Sequence, residues 1–317
     1  MITVLAHVKW FTDETAPLDL GRLASLPVLG AILLAAALIA LLGWLSRRMP
    51  LERAMSWPRR VLRPFLPLIL SAHLAIALTA SALTGRYLAP NLELPQGSTG
   101  TLLTGIELAV ALLILAGFFT RFAAGLLVLS GPAGMVVYGP LAILERAELL
   151  GIALYLALTG RRRWSVDALR GERTEEGIDP AAVGLLRMLA GLAVAVNAFT
   201  EKLLAPEVGL ALLEDRPGLN VLRGLGVSDA AFSDLAGAVE LALGLVLISG
   251  IGTRLAVLVA VIPFNLTLLV FGWEELVGHL PIYGIFLVLL IEGSGRARSA
   301  LRWFRESFTR VDAEPAR

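Results

Sequence analysis

Two glutamates, Glu107 and Glu240, lie well inside long apolar stretches of the chain. An acid at the centre of a membrane helix costs at least ~2.5 kcal/mol on insertion scales, so each carboxylate must face other helices and find a partner there. Arg86 and Lys202 end the preceding apolar stretches, within snorkelling reach of these carboxylates. Two interpretations are open: a buried ion pair that sets helix register, or a proton relay or headgroup-binding site.

A second candidate pair is Glu275 and His279, which are four residues apart and would share one helix face. Asn265, in the preceding apolar stretch, is predicted to be close to them. A histidine–carboxylate pair at a membrane boundary could bind a quinone carbonyl or exchange protons. It supplies two metal ligands but no visible third, so no metal site is predicted. The alternative is an interfacial polar cap.

Arg121 and Arg254 each follow a threonine in a very short turn between two apolar stretches. Basic residues in such turns are typical signals of membrane topology. A contact with the phosphate of a phospholipid is the alternative. The catalytic residues, if there are any, are not identified by these patterns.

The composition of the chain indicates whether the segments that carry these residues lie in water or in lipid. The chain has 317 residues, of which 57% are hydrophobic and 17% charged, with a mean hydropathy of +0.78. Soluble domains carry about 25% charged residues, so this chain must use lipid as solvent. It contains no cysteine, which excludes disulfides, thiolate metal sites and iron–sulfur clusters on the chain itself. Membrane lipid is the expected partner, and the arginine-rich loops are read as topology signals rather than as a nucleic-acid site.

Nine apolar runs are long enough to cross a bilayer, and continuous runs favour helices over a barrel. Their approximate ranges are 26–45, 64–83, 101–119, 122–138, 141–159, 180–199, 230–250, 255–271 and 275–291. The fifth run is the weakest, because Glu145, Arg146 and Glu148 lie near its start. The predicted fold is therefore an all-α integral membrane protein of about nine helices.

Basic residues are unevenly distributed between the two sets of loops. One side holds 19 arginines and the other holds seven lysines and arginines, with Arg187 inside the sixth run. The positive-inside rule makes the first side cytoplasmic. We therefore predict a multi-pass protein of the cell membrane, with its N-terminus outside and its C-terminus inside.

The chain repeats itself at an offset of 133 residues. ELAVALLILAGFFTRFAAGLLVL, starting at Glu107, aligns with ELALGLVLISGIGTRLAVLVAVI, starting at Glu240. Runs two to five thus match runs six to nine, and an even number of helices per repeat gives both copies the same orientation. The predicted divisions are an N-terminal segment (1–63), a first repeat (64–163), a linker (164–179), a second repeat (180–293) and a basic tail (294–317).

These motifs resemble the DoxX family of membrane proteins. The likeness rests on a basic residue before LLAP, a helix opening G-x-x-E-L and a turn G-x-x-T-R, and the second copy fits best, with FTEKLLAPE, GAVELALGLVLISGIGTR and HLPIYGIFLVLLIEG. The first copy has Arg86 in place of lysine and no counterpart of His279.

The resemblance implies a four-helix unit and a link to redox enzymes, since some relatives are membrane subunits of thiosulfate:quinone oxidoreductases. It would place a quinone near Glu240, Lys202 and His279 and would require a redox partner protein. Two further functions stay open: a membrane assembly or binding module, and a small-molecule or lipid transporter.

Overall fold

The computed structural model describes residues 8–171 and 177–295, and nearly all of the regular elements there are helices. Apart from its first two residues, the predicted basic tail lies outside these ranges, as does part of the linker. The α-helices, in chain order, are α1 (Leu26–Arg48), α2 (Leu51–Ala54), α3 (Ser56–Leu62), α4 (Leu66–Leu83), α5 (Ser98–Ala116), α6 (Thr120–Tyr138), α7 (Pro140–Leu144), α8 (Ala147–Thr159), α9 (Val166–Leu169), α10 (Pro180–Ala198), α11 (Pro206–Asp215), α12 (Asp229–Ser249), α13 (Thr253–Phe271) and α14 (Trp273–Glu292).

Eight helices of the described chain are long and apolar enough to cross a membrane. They match eight of the nine predicted runs, so the prediction of an all-α, multi-pass membrane protein is confirmed. One short antiparallel hairpin, β1 (Arg86–Tyr87) and β2 (Ala89–Glu93), was not predicted. It lies in the loop between α4 and α5.

The fifth predicted run is not one continuous helix. It is divided into α7 and α8, with Glu145 and Arg146 between them. At 1.5 Å per residue the 13 residues of α8 span only ~20 Å, less than the ~30 Å of a hydrocarbon core. The interruption leaves two ionisable residues at the depth of the helix bundle, where both are buried.

Packing between the helices follows the repeat. In the first unit (α4–α8), α4 packs against α5; in the second unit (α10–α14), α10 packs against α12. Between the units, α4 packs against α14 and α10 packs against α8. The first helix of each unit thus contacts the last helix of the other. This exchange is expected for two parallel repeats around an axis along the membrane normal.

Backbone conformation repeats with the same spacing as the sequence. Residues with positive φ, which glycine adopts at no steric cost, recur 133 positions apart at helix ends. The pairs are Gly117 with Gly250, Phe119 with Gly252, Gly139 with Gly272, and Gly160 with Gly293. Both units therefore turn in the same way between their successive helices.

Small residues bring α10 and α12 into backbone contact. A Cβ atom added to Gly191 would lie 2.6 Å from the carbonyl oxygen of Gly244, so neither position has room for a side chain. Close approach at small residues is a common way for membrane helices to associate. The additional helix α1 packs on the outside of this unit, against α12 and α13.

The ends of the helices define two faces of the bundle. The arginine-rich face carries the end of α1, the start of α4 and the α5–α6 and α12–α13 turns. The opposite face, named the outer face after the predicted orientation, is covered in the second unit by residues 8–11 and α11. Val8 packs there with Val208, Leu212 and Phe232 in a small apolar cluster of its own.

Candidate functional site

Lys202 and Glu240 form a buried ion pair in the second unit. Lys202 lies in a π-helical turn (Phe199–Leu203) that extends α10, and its Nζ is 2.9 Å from the carboxylate of Glu240 on α12. Their side chains are 5% and 6% exposed. Gly237 permits this approach, because a Cβ there would meet Leu203 at 2.8 Å. The wide π turn directs the lysine towards α12.

Glu201 joins this pair to the N-terminal segment. Its carboxylate lies 3.6 Å from Nζ of Lys202, and it accepts a hydrogen bond of 2.9 Å from the backbone N–H of Val8. Glu201 itself is 2% exposed. A carboxylate buried to this degree needs such partners, since an unpaired buried charge is very costly.

The break between α7 and α8 contributes a second group of charges. Nζ of Lys9 contacts the carboxylate of Glu145, and Asn197 donates a hydrogen bond of 3.4 Å to the Glu145 carbonyl oxygen. Arg146 lies 2.9 Å from Glu148, and both side chains are almost fully buried. The first unit thus contributes three buried charged residues, and Asn197 on α10 joins Glu145 to the second unit.

The predicted pair of Glu275 and His279 is in contact, with 3.2 Å between the Glu275 carboxylate and Nδ1 of His279. Both residues are 1% exposed. The imidazole contacts two aromatic rings, Trp10 and Phe264, each 4.7 Å away between ring centroids. The guanidinium of Arg146 lies 5.3 Å from the centroid of the Trp10 ring. The buried histidine is thus packed against aromatic side chains.

These residues make up the outer polar cluster. It combines five carboxylates, three cations and one histidine from both units and the N-terminal segment. Its members are Lys9, Glu145, Arg146, Glu148, Glu201, Lys202, Glu240, Glu275 and His279. Such a cluster can store and exchange protons and can offer hydrogen bonds to a polar ligand.

A cavity of about 570 Å³ opens beside the cluster on the outer face. Its walls come from the N-terminal segment, the β1–β2 hairpin and the end of α11, and include Arg86, Glu93 and Asp215. Lys9 and Trp10 line this cavity and also contact the cluster. They form the boundary between the cavity and the buried charges.

Two predicted residues make other contacts. Asn265 is exposed on α13 and donates to its own helix, at 2.8 Å from the Val261 carbonyl oxygen. Arg86 pairs with Glu93 at 2.7 Å across the hairpin and does not reach Glu107. The hairpin register directs the arginine away from the bundle.

Glu107 is buried like Glu240 but has a different partner. Its carboxylate accepts a 3.0 Å hydrogen bond from the backbone N–H of Leu88, and the residue is 2% exposed. Its second oxygen, Oε2, has no hydrogen-bond partner among the described residues. The two repeat-related glutamates therefore differ in charge environment.

Arg121 and Arg254 also differ. Arg121 is exposed, whereas Arg254 is 6% exposed and donates to the carbonyl oxygens of Leu290 (2.8 Å) and Ile291 (2.9 Å) at the end of α14. It also contacts Glu52. In the second unit this arginine caps a helix C-terminus, where a cation is favourable.

Sequence reasoning missed Lys9, Glu145, Arg146, Glu148 and Glu201 as site residues. The charges at 145–148 were noted only as a weakness of the fifth run. Ionisable residues within a membrane segment are themselves an indication of a functional site. On that basis, the charged residues at 145–148 would have been candidate members of the outer polar cluster. Within the described chain, there is no group of three or more potential metal ligands.

No family model, characterised protein or solved structure matches the chain in comparisons with known proteins.

Proposed function

We propose that this chain is a DoxX-like membrane subunit that binds a quinone headgroup at Glu275 and His279. The observation that carries the proposal is the buried histidine–carboxylate pair, whose imidazole contacts Trp10 and Phe264. An imidazole can donate a hydrogen bond to a quinone carbonyl oxygen, and aromatic rings offer faces for a flat ligand. The carboxylate beside it orients the imidazole and can exchange its proton.

The electrons would come from a partner. Reduction of a quinone to a quinol takes two electrons and two protons, and no thiol or iron–sulfur cluster can form on a chain without cysteine. A redox partner protein in or beside the membrane would supply the electrons. The carboxylates of the outer polar cluster would supply the protons. The motifs around Lys202 and Glu240, which resemble the DoxX family, support this assignment.

Thermal unfolding of the purified protein in detergent tests the binding site. A short-chain benzoquinone at a hundredfold excess over its dissociation constant should stabilise the wild type by about 2.7 kcal/mol. His279→Gln and Glu275→Gln should lose most of this stabilisation. Asn265→Ala is the matched control, because Asn265 is exposed on the neighbouring helix and should leave the response unchanged.

A wild type that shows no quinone response would refute the proposal. So would an undiminished response in both variants that change the pair. Absorbance of the bound quinone after gel filtration gives a second readout that does not depend on protein stability. It separates loss of binding from a loss of folding in the variants.

The broken fifth helix favours a second candidate, a transporter of small polar molecules. Discontinuous helices whose ends meet charged residues between parallel or inverted repeats are typical of secondary transporters. Here the α7–α8 break places Glu145 and Arg146 between the two units. Uptake of a solute by proteoliposomes, abolished by Glu145→Gln, would favour transport over quinone binding.

The proposed orientation can be tested on a chain without native cysteines. Asn91→Cys, which lines the outer cavity, should react with an impermeant thiol reagent in intact cells. Ser56→Cys, at the start of α3, should react only after permeabilisation. The reverse labelling pattern would invert the proposed topology, and labelling of both in intact cells would contradict a membrane-spanning arrangement of α4, the helix between the two positions.

A further inference from the structure

The start of α6 shows what the short turn between repeat helices can bind. The carboxylate of Asp167 accepts hydrogen bonds from the backbone N–H groups of Phe119 (2.7 Å) and Thr120 (2.9 Å). It also accepts one from the Thr120 hydroxyl at 2.8 Å. One oxyanion group thus satisfies three donors at a helix N-terminus, where the helix dipole favours negative charge.

The start of α13 repeats these donors, and no carboxylate of residues 8–171 and 177–295 accepts from them. Gly252 has the left-handed conformation of Phe119, and no side chain caps the helix among the described residues. Thr253 is 3% exposed, and its Oγ1 has no hydrogen-bond partner in the described chain. At the position 133 residues after Asp167 the sequence has Ala300, which carries no carboxylate.

A cavity of about 180 Å³ lies at this second turn on the arginine-rich face. It is lined by Thr253, Arg254, Ser294 and Glu52, together with the backbone of Gly252. Among the described residues, Glu52 is the only acid in the lining, and its side chain is 81% exposed. Because Glu52 contacts Arg254 from the solvent side, its carboxylate can move into solvent when another anion takes its place beside the guanidinium.

We propose that this cavity is an oxyanion site that binds a phosphate group. Backbone N–H groups at a helix start, a threonine hydroxyl and a guanidinium are the donors that phosphate prefers. The headgroup of a phospholipid in the adjacent leaflet and free inorganic phosphate share this chemistry. The first unit holds the same position with its own carboxylate, so only the second unit takes an external ligand.

Binding can be measured on the full-length protein, delipidated in detergent, by the shift of its unfolding temperature. One arm is a titration with inorganic phosphate and the other with a short-chain phosphatidylglycerol, against a phosphate-free detergent of equal chain length. A shift with phosphatidylglycerol alone assigns a lipid headgroup, and a shift with both assigns a site open to any phosphate. No shift in either arm would overturn the proposal.

Three variants locate the ligand. Thr253→Val should weaken binding by about tenfold, because a hydrogen bond to a charged group is lost, and Thr253→Ser should keep it. Glu52→Gln should tighten binding severalfold, because the competing carboxylate is removed. The matched control is Thr120→Val, whose turn is already filled by Asp167, and it should bind like the wild type.

Equal binding by Thr253→Val and the wild type would place the ligand elsewhere and refute the site. If Thr253→Val does not fold, Glu52→Gln and Thr253→Ser still decide the matter. If Thr253→Ser binds like the wild type but Glu52→Gln does not bind more tightly than the wild type, a ligand at this turn is contradicted.

Discussion

The two repeats place a glutamate at the same position and give it different partners. Glu240 in the second unit pairs with Lys202, whereas Glu107 in the first accepts a hydrogen bond from the backbone of Leu88. The difference comes from the loop that precedes each glutamate helix. A π turn directs Lys202 into the second unit, and a hairpin turns Arg86 towards Glu93 on the surface. The comparison teaches that the repeated helix determines where the acid lies, while the unrepeated loop determines which group pairs with it.

The largest effect should come from breaking the pair of the second unit. Glu240→Gln leaves the buried Lys202 with Glu201 as its remaining acid, 3.6 Å away. Removing one member of a buried ion pair costs ~3–5 kcal/mol, and Glu201 should hold the loss near the lower end. Unfolding of the purified protein in a mixed-micelle denaturant titration measures it.

The control for that measurement is the double variant Glu240→Gln with Lys202→Gln. Because the stranded cation is then also removed, the double variant should recover more than half of the lost stability. If the stability loss of the double variant equals the sum of the losses of the two single variants, the residues do not interact energetically. That result would contradict the observed contact.

A smaller loss of stability should distinguish the two repeat-related arginines, Arg254 and Arg121. Arg254→Gln removes hydrogen bonds from a buried guanidinium to the end of α14 and should cost about 1.5–3 kcal/mol. Arg121→Gln changes an exposed side chain at the equivalent position and should stay within about 0.5 kcal/mol. The same denaturant titration compares them, and equal losses would show that the units use their arginines alike.

The smallest effect should come from Glu107→Gln. A glutamine amide oxygen can still accept the hydrogen bond from the N–H of Leu88, and no cation is left unpaired by the change. We expect a loss below about 1 kcal/mol, clearly less than for Glu240→Gln. A loss as large as that of Glu240→Gln would indicate a charged partner for Glu107 and would remove the asymmetry between the units.

Patterns along the chain were enough to predict the helices and their repetition. Apolar runs of membrane-spanning length, interrupted by arginine-rich loops, identify helices because a backbone in lipid must satisfy its own hydrogen bonds. The offset of 133 residues predicted two parallel units, and the left-handed turns recur at that same offset. Each helix and each turn depends only on residues that are close in sequence, and the repeat is recognised by comparing two such local patterns.

The contents of the polar cluster could not be predicted in this way. Lys9 and Glu145 are 136 residues apart, and Val8 and Glu201 are 193 apart, so no local pattern relates them. From the sequence, the charged residues in the fifth predicted run indicated only weak hydrophobicity. The partners that stabilise these charges lie on other elements, so the sequence did not show them. A polar residue on an apolar helix can also satisfy itself on its own backbone, as Asn265 does, so its presence there does not by itself indicate a partner.

By itself, the sequence determined that this chain crosses a membrane many times, that its halves repeat in the same orientation, and that acids lie within the bundle. These properties follow from hydrophobicity, helical length and the repeated spacing. Only the tertiary structure decided which charges meet, that His279 contacts two aromatic rings, and that no side chain of the described residues caps the start of α13. The physical reason is that a buried charge is stabilised by whichever partner the folded helices and loops bring within a few ångströms, and that partner is far away along the chain.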